Sequence, residues 1–425
     1  MIFSGASVSI VVRIIGLALS YGANVLLSRL LGLSAYGQYA IALSWVLVLT
    51  LPAKAGFDNS TLRYATLYIE RGDQPALRGF VRFAVATVLA VSLVMGALII
   101  AGGNLVAKAD FDVLLWAGLL VAPLALLALF SALMRASGRI LASQAYDQML
   151  RPALLAGLAA TLTWTGMRMT SSSALMVTTL AAAGALLALM IESTRVFAGT
   201  GSTISYSEWR SWAAVSVPML LMSVVQELMN HLEVILLGVL GNQSQAGLFA
   251  ASWRLASFVP FVFIGLATVA GPLIVSAYNR GAREELVRIS ALVSRIGLAF
   301  AVVTAALLAV LGGWLLGLFG PEFVTARQVL LILLIGGVAN AFTGVVGPLM
   351  ILTEHERQAL AIFAGALALS IILNLALIPS FGAVGAAIAS ASATTAWNFA
   401  MLIYVRRKVG IDASALALRP RDVRV

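Results

Sequence analysis

Apolar stretches long enough to cross a lipid bilayer recur along this chain from about residue 8 to residue 405, with short polar breaks between them. A helix needs roughly 20 residues to span the hydrocarbon layer, and the breaks are too short to fold as soluble domains. Lipid cannot hydrogen-bond to the backbone, so a chain crosses it only as helices or as a closed barrel, and these runs are continuous rather than alternating. We therefore predict an all-α polytopic membrane protein.

Composition excludes the soluble classes of protein. Mean hydropathy is +1.01, 61% of the residues are hydrophobic and 10% are charged, whereas charged residues make up about a quarter of a soluble domain. The net charge of +10 comes largely from arginines at the ends of the apolar stretches, where arginine sets topology, so we expect no nucleic-acid partner.

The sequence also lacks the usual signatures of catalysis. There is no cysteine, and the only two histidines, His231 and His355, are far apart, so we expect neither a disulfide nor a metal site. No phosphate-binding Gly-Lys loop and no suitably placed Ser/His/Asp set occurs. We predict a protein that is not an enzyme and that has no catalytic residues and no cofactor.

The apolar stretches predict about twelve membrane spans. They cover residues 8–28, 36–56, 81–102, 113–134, 152–168, 174–194, 213–239, 247–276, 296–318, 329–352, 359–378 and 384–405. Alternate breaks are rich in arginine, as around Arg71 and Arg283. The positive-inside rule then predicts that these breaks and both termini are cytoplasmic.

A segment rich in Gly, Ser and Thr divides the predicted spans six and six. It predicts an N-terminal lobe at 1–194, a cytoplasmic linker at 195–212, a C-terminal lobe at 213–405 and a cytoplasmic tail at 406–425.

The two lobes look like repeats of one another. LLGLSAYGQYAIALSW around Gly32 matches VLGNQSQAGLFAASW around Gly241, at an offset of roughly 210 residues. Paired lobes that bind substrate between them are typical of secondary transporters. The alternative is that two short Gly-aromatic turns converged by chance.

Several segments together resemble one known family. They are LSRLLGLSAYGQYA from Leu27, LMRASGR and LRP in the 133–152 region, LEVILLG and AGLFAASWRL from Leu232, and NLALIPSFGAVGAAIA from Asn374. In this order they resemble the polysaccharide-transport (Wzx-type) branch of the multidrug/oligosaccharidyl-lipid/polysaccharide (MOP) exporter superfamily.

The resemblance implies a fold and a function. The expected fold is two six-helix bundles around a central cavity, and the expected activity is flipping of polyprenyl-diphosphate-linked oligosaccharide by alternating access. The expected location is a bacterial or archaeal cytoplasmic membrane. Lipid-linked oligosaccharide, membrane lipids and other polysaccharide-assembly proteins are the expected partners.

Four basic residues fall within or near predicted spans. Arg13 lies in the first, Arg29 at its outer end, Lys54 late in the second, and Arg254 early in the eighth. A charge inside the membrane costs about 2.5 to 3.5 kcal/mol, so each suggests a cavity or a partner. In the resembling family these helices border the cavity, where a guanidinium would match diphosphate oxygens. Alternatively, Arg29 and Lys54 extend to the membrane interfaces, and Arg13 lies at the cytoplasmic one.

The seventh predicted span carries a polar stripe at helical spacing, formed by Gln226, Glu227, Asn230, His231 and Glu233. A polar stripe in lipid must face protein or water. Members of the resembling family often have an aspartate in this helix, where this chain has Glu233.

Three further polar residues would face that stripe: Asn374 in the eleventh span, and Thr394 and Asn398 in the twelfth. Such oxygen ligands would hold Na⁺, or Glu227 would carry H⁺, as the coupling ion. The alternative is a hydrogen-bond network that serves packing, with Glu227 paired to His231.

We predict a lipid-linked oligosaccharide flippase for cell-surface polysaccharide biosynthesis. An ion-coupled drug/cation antiporter of the same superfamily is the nearest alternative, but cationic substrates favour acidic cavity residues. A membrane glycan polymerase or ligase would need a large outward loop, which the predicted topology lacks. A scaffold of an envelope assembly complex would not need buried ionisable residues.

Overall fold

The computed structural model describes residues 2–106, 110–196, 204–206, 208–352 and 355–417. In chain order the helices are α1 (Ile2–Lys54), α2 (Phe57–Arg71), α3 (Gln74–Val106), α4 (Phe111–Ala136), α5 (Ile140–Gln144), α6 (Arg151–Trp164), α7 (Ser171–Val196), α8 (Trp209–Leu240), α9 (Gln243–Ala256), α10 (Phe261–Asn279), α11 (Arg283–Phe319), α12 (Arg327–Thr343), α13 (Val346–Leu352) and α14 (Glu356–Tyr404). π-helical segments occupy Ala145–Leu150 and Val405–Val409, and a 3₁₀ segment occupies Pro321–Ala326. The described residues contain no β-strand, which confirms the all-α prediction.

Seven helical stretches within the described residues are long and apolar enough to cross a membrane, and α9 with the start of α10 would form an eighth, bent span. Two of the helices are double. α1 breaks at Gly32 (φ 75°, ψ 173°) and α14 breaks at Gly382 (φ 53°, ψ −129°). Only glycine adopts such angles without strain. Each break lies between two predicted spans, 8–28 and 36–56 or 359–378 and 384–405.

The helix that carries the fifth predicted span extends further towards the N-terminus than that span. The span was placed at 152–168, whereas helical backbone runs without a break from Ile140 through the π-helical segment to Trp164. The bounds of the span in the membrane stay a prediction. Pro152 has no N–H to bond back into the preceding turn, so it resembles a helix start in sequence. In the structure the preceding π turn, with its wider spacing of hydrogen bonds, accommodates the proline.

The polar break after the second span folds as an amphipathic helix. α2 buries one face, at Phe57, Ser60, Thr61, Tyr64, Ala65 and Tyr68. These positions recur every three or four residues, as expected for a helix that covers an apolar surface. Phe80 of α3 and Trp212 of α8 complete that surface, with ring centroids 5.4 Å apart in an edge-on arrangement.

The chain forms two compact units, Met1–His231 and Leu232–Val425, and α8 passes from the first to the second. The start of α8 belongs to the first unit because it packs on α2. Trp212 Nε1 donates to Tyr68 Oη at 2.8 Å, and Ser216 Oγ donates to Ser60 Oγ at 2.7 Å. Most of the predicted linker 195–212 lies outside the described residues, and the predicted lobe boundaries stay a prediction.

Close helix crossings organise the first unit. α3 and α4 meet at Gly96 and Gly118, where a Cβ added to Gly96 would lie 2.6 Å from the Gly118 carbonyl oxygen. Small residues at a crossing let two membrane helices approach closely, and close approach replaces the hydrophobic driving force that lipid removes.

In the second unit the segment after α14 folds back onto α11 and α12. Ser294 Oγ donates to the Ala413 carbonyl at 2.7 Å, Arg295 Nε donates to the Ala415 carbonyl at 3.2 Å, and Ala415 N donates to the Phe342 carbonyl at 3.1 Å. Residues 410–417 of the predicted tail are therefore a packed part of this unit. Residues 418–425 lie outside the described residues.

Candidate functional site

A tight turn joins Lys54 at the end of α1 to Asp58 in the first turn of α2. Both residues of the turn are left-handed, Ala55 with φ 49° and Gly56 with φ 76°, and Ala55 is the one non-glycine residue with positive φ among those described. A Cβ on Gly56 would overlap the carbonyl oxygen of Ser216. This geometry costs an alanine about 1 to 2 kcal/mol and persists only where the surroundings fix it. It brings Lys54 Nζ within 3.7 Å of Asp58 Oδ2.

Arg135, in the last turn of α4, lies beside this turn. Its side chain is half-buried, and it is within electrostatic range of Asp58, Asp147 and Arg13. The guanidinium makes no hydrogen bond or ion pair with any described residue. It thus has charged neighbours of both signs but no direct partner in the described part of the chain.

Asp147 lies on the π-helical segment between α5 and α6. Its Oδ1 accepts from Arg151 Nε at 3.1 Å. α1 crosses this segment closely, because a Cβ on Gly16 would lie 2.6 Å from the Gln148 carbonyl oxygen. Arg13, one turn earlier on α1, is half-buried and makes no ion pair within the described part of the chain.

Glu227 extends the same group of charges from α8. Its Oε1 lies 3.3 Å from His231 Nε2, and its Oε2 accepts from Asn230 Nδ2 at 3.4 Å. Lys54 is also within its electrostatic range. The sequence left open whether Glu227 carries a coupling ion or pairs with His231 in a hydrogen-bond network that serves packing, and this pairing is present in the structure.

We call these residues the charged cluster: Arg13, Lys54, Asp58, Arg135, Asp147, Arg151 and Glu227. It contains four cations and three carboxylates, all within the first unit. Four of the seven were missed from the sequence, because Asp58, Arg135, Asp147 and Arg151 fall in breaks whose charges were interpreted as topology signals. The spacing of a base and an acid four residues apart, in Lys54 to Asp58 and in Asp147 to Arg151, was the available signal.

The other two predicted basic residues lie elsewhere. Arg29 is exposed on α1, one turn before the break at Gly32. Arg254 is half-buried in the last turn of α9, where the helix bends by 48° into α10, and it has no ion pair among the described residues. The C-terminal end of a helix favours a cation, which stabilises Arg254 at this bend.

A second polar group, the Glu233 cluster, consists of Glu233 on α8 with Ser370, Asn374 and Ser390 on α14. Glu233 is 2% exposed and accepts from Ser370 Oγ at 3.3 Å, and Asn374 and Ser390 lie beside it. Asn374 Nδ2 donates to the Ser370 carbonyl at 2.8 Å, whereas the buried Asn374 Oδ1 has no partner. A carboxylate, two hydroxyls and an unsatisfied amide oxygen form a set of oxygen ligands suited to a small hard cation.

The remaining predicted ion-coupling residues form a separate network. Asn398 Nδ2 donates to the Thr394 carbonyl at 2.8 Å, and Asn398 Oδ1 accepts from Thr343 Oγ1 at 3.0 Å. The structure therefore brings Glu233 and Asn374 together and joins Thr394 to Asn398. Within the described residues no group of three or more His, Asp or Glu side chains is arranged to hold a metal ion.

Solved structures similar to this chain are transporters. An inward-facing multidrug resistance MATE transporter of the MOP superfamily has a TM-score of 0.73 and 14% identity, with 94% of this chain and 98% of that chain covered. The lipid II flippase MurJ in an inward closed conformation has a TM-score of 0.72 and 10% identity, with 94% and 87% covered. A MOP superfamily transporter from Pyrococcus furiosus has a TM-score of 0.65 and 16% identity, with 95% of each chain covered.

At these identities the likenesses show the fold alone, that of a multi-pass MOP-type membrane protein, which confirms the predicted fold class. No protein of curated function matches the chain by sequence. A family model described as "Polysaccharide biosynthesis protein" matches residues 2–278, well over half of the chain. This match confirms the family that the sequence resembled, and the chain belongs to the polysaccharide biosynthesis protein family.

Proposed function

We propose that this chain is a flippase that moves polyprenyl-diphosphate-linked oligosaccharide across the cytoplasmic membrane by alternating access, for cell-surface polysaccharide biosynthesis. The observation that carries the proposal is that Arg13 and Arg254 are half-buried on apolar helices without an ion pair among the described residues. A guanidinium in that setting is costly unless an anion or water meets it. A diphosphate supplies oxygens in the fork geometry that guanidinium matches.

The polar and apolar parts of the substrate would occupy different surroundings. The diphosphate and the glycan enter the polar interior, while the polyprenyl tail stays in the bilayer, where each buried CH₂ is worth about 0.8 kcal/mol. The protein lowers the barrier to moving a charged headgroup through hydrocarbon. No bond is made or broken in this process, so the protein acts as a transporter and needs no catalytic residues.

The arginine-rich breaks support an orientation with both termini in the cytoplasm. In that orientation Lys54, Asp58 and Arg135 lie at the cytoplasmic ends of their helices, where substrate enters. Lipids and, in the cell, other polysaccharide-assembly proteins are the surroundings in which it would work.

The Glu233 cluster supports coupling to an ion. Its buried carboxylate and the unpartnered Asn374 Oδ1 suit Na⁺, and the carboxylate alone suits H⁺. Either ion moving down a potential of 100 mV supplies roughly 2.3 kcal/mol per charge. That free energy would reset the transporter after substrate release.

A drug/cation antiporter is the second candidate, since the same fold carries it and Glu233 is a buried carboxylate. Its substrates are cations, however, and Arg13 and Arg254, which make no ion pair with any residue that the structure describes, are themselves cations. Like charges would repel such substrates, so the flippase fits better.

The test is transport of a fluorescent polyprenyl-diphosphate oligosaccharide in proteoliposomes, with a membrane-impermeant quencher reporting sidedness. Wild type should transport, and Arg254→Gln should slow transport by about tenfold or more, because a charge-assisted contact is worth about 1.5 to 3 kcal/mol. The matched control is Arg280→Gln, an exposed arginine that bonds Glu285. Transport of cationic dyes, with none of the lipid-linked oligosaccharide, would favour the antiporter.

A further inference from the structure

We propose that Arg135 binds the diphosphate of the substrate, and that Asp58 and Asp147 compete with the diphosphate for the charge of Arg135. This inference rests on the proposed flippase function and adds an anion-exchange step to it. In the empty state the two nearby carboxylates balance the charge of Arg135 without a hydrogen bond to it, and in the loaded state the phosphate oxygens bond to it directly.

The first support is the state of Arg135 itself. It lies half-buried at the end of a membrane helix, near Asp58 and Asp147, yet it hydrogen-bonds to neither of them, nor to any other described side chain. A structural arginine at such a site would normally make a direct, often bidentate, carboxylate pair. The donors of Arg135 are therefore left for a ligand that arrives from outside.

The second support is that each carboxylate keeps a cation of its own. Asp58 lies 3.7 Å from Lys54, and Asp147 accepts from Arg151 at 3.1 Å. An isolated charge away from bulk water is strongly unfavourable, so a carboxylate can leave the charge of Arg135 to a substrate only if another cation stays with the carboxylate. The two neighbouring pairs meet that requirement.

The third support is the backbone that carries the two acids. Asp58 follows the left-handed Ala55–Gly56 turn, and Asp147 lies on a π-helical segment. Both are irregular geometries that proteins retain mainly where the direction of a side chain matters. α1, α4 and the π-helical segment converge here, which also places Arg13 near Arg135.

The charges balance in the exchange. A diphosphate esterified at both ends carries two negative charges, and Arg135 and Arg13 together supply two positive ones. Asp58 and Asp147 then compete with the substrate for Arg135. They weaken binding because their negative charge opposes the approach of the diphosphate, and the same opposition speeds its release.

The experiment measures binding and transport separately on the full-length protein. Binding of the fluorescent polyprenyl-diphosphate oligosaccharide is followed in lipid nanodiscs, and flipping is followed in proteoliposomes. The variants are Arg135→Gln, Asp58→Asn and Asp147→Asn. The matched control is Arg139→Gln, because Arg139 is exposed in the same loop and already pairs with Glu192.

We expect Arg135→Gln to weaken binding by tenfold or more, Arg135→Lys to restore part of it, and Arg139→Gln to leave it unchanged. Each acid variant should bind substrate several-fold more tightly and flip it more slowly. A purely structural role for the acids would lower both affinity and rate. Wild-type affinity in Arg135→Gln, or weaker binding in both acid variants, would overturn the proposal.

Inorganic diphosphate, titrated calorimetrically into wild type and Arg135→Gln, separates this inference from the proposed function. Binding that disappears in Arg135→Gln supports an anion site at Arg135 even if no oligosaccharide is transported, in which case the flippase proposal fails alone. Oligosaccharide transport with equal diphosphate binding by both proteins would sustain the flippase and reject the exchange site.

Discussion

The charged cluster of the first unit and the Glu233 cluster of the second solve the problem of charge in a membrane in opposite ways. Five of the seven residues of the charged cluster lie at helix ends or on the π-helical segment, and Arg13 and Arg135 have no hydrogen-bonded side-chain partner among the described residues. The Glu233 cluster holds one carboxylate in regular helices, surrounded by neutral hydroxyl and amide groups.

The difference indicates what each cluster can bind. Half-buried cations that make no ion pair within the described part of the chain can bind a large anion. A carboxylate that is 2% exposed can bind only a small cation or a proton. Four substitutions test this contrast.

The largest effect is expected from reversing one charge of the charged cluster. Arg13→Glu would place a carboxylate next to Arg135. The cluster would then lose the Arg13 guanidinium, and the new carboxylate would pair with the guanidinium of Arg135. Loss of two charge-assisted contacts, each about 1.5 to 3 kcal/mol, predicts a fall in flipping rate of about 100-fold or more. The initial rate in proteoliposomes measures it. The control is Arg82→Glu, at an exposed position near the start of α3, which should change the rate little. A variant at Arg13 that kept a tenth of the rate would contradict the contrast.

The next effect concerns the Glu233 cluster. Glu233→Gln keeps the volume and can still bond Ser370, so the protein should fold, but the neutral side chain cannot balance a coupling ion. We expect transport to lose its dependence on an imposed Na⁺ or H⁺ gradient. A gradient of 100 mV makes roughly 2.3 kcal/mol available per charge, and without a coupling ion we expect the gradient-driven rate to fall about tenfold. The gradient-driven and gradient-free rates are compared directly.

Glu227→Gln is the matched comparison, since Glu227 pairs with His231 in the other cluster. It should alter the basal rate and keep the gradient dependence. If Glu227→Gln uncoupled transport and Glu233→Gln did not, the roles of the two clusters would be reversed.

A smaller effect should follow from Ser370→Ala, which removes the hydroxyl that hydrogen-bonds to Glu233. One net hydrogen bond is worth about 1 kcal/mol, so the ion concentration giving half-maximal transport should rise about fivefold. Oligosaccharide affinity should stay the same, because Ser370 is in the Glu233 cluster. A change in oligosaccharide affinity without any change in ion dependence would argue against a division of roles.

The smallest effect should come from Ala55→Gly, which relieves the left-handed alanine beside the charged cluster. The relief of about 1 to 2 kcal/mol is partly offset by the flexibility of glycine in the unfolded chain, so we expect a net gain of about 0.5 to 1 kcal/mol. Thermal unfolding in detergent measures it. Gly56→Ala, whose Cβ would overlap the Ser216 carbonyl, should shift the melting temperature in the opposite direction.

The sequence predicts much of the membrane architecture, because the physics of lipid leaves few choices. The breaks at Gly32 and Gly382 fall between predicted spans, since a run of apolar residues has a fixed length in a bilayer. The early start of the helix that carries the fifth span could not be predicted, because Pro152 marks a helix start in sequence and the π turn before it allows the helix to continue.

The candidate sites were only partly predictable. Arg13 and Lys54 are visible as charges in apolar runs, but Asp58 and Asp147 look like ordinary loop residues until the helices are assembled around them. Ser370 and Ser390 were missed for a different reason. Serine is common at crossings between membrane helices, so its sequence position does not distinguish a ligand from a packing residue.

The segment that follows α14 has a consequence for how this chain can vary. Ser294 and Arg295 donate to its main-chain oxygens at Ala413 and Ala415 respectively, and its own Ile411 is buried. Contacts to main-chain oxygens depend on the backbone conformation of the segment and not on the identity of its side chains. Alanine can therefore give way to other small residues here, whereas inserting or deleting a residue between 410 and 417 would shift every carbonyl out of register. Affinity tags and reporter proteins belong after this segment, and truncation should stop short of it.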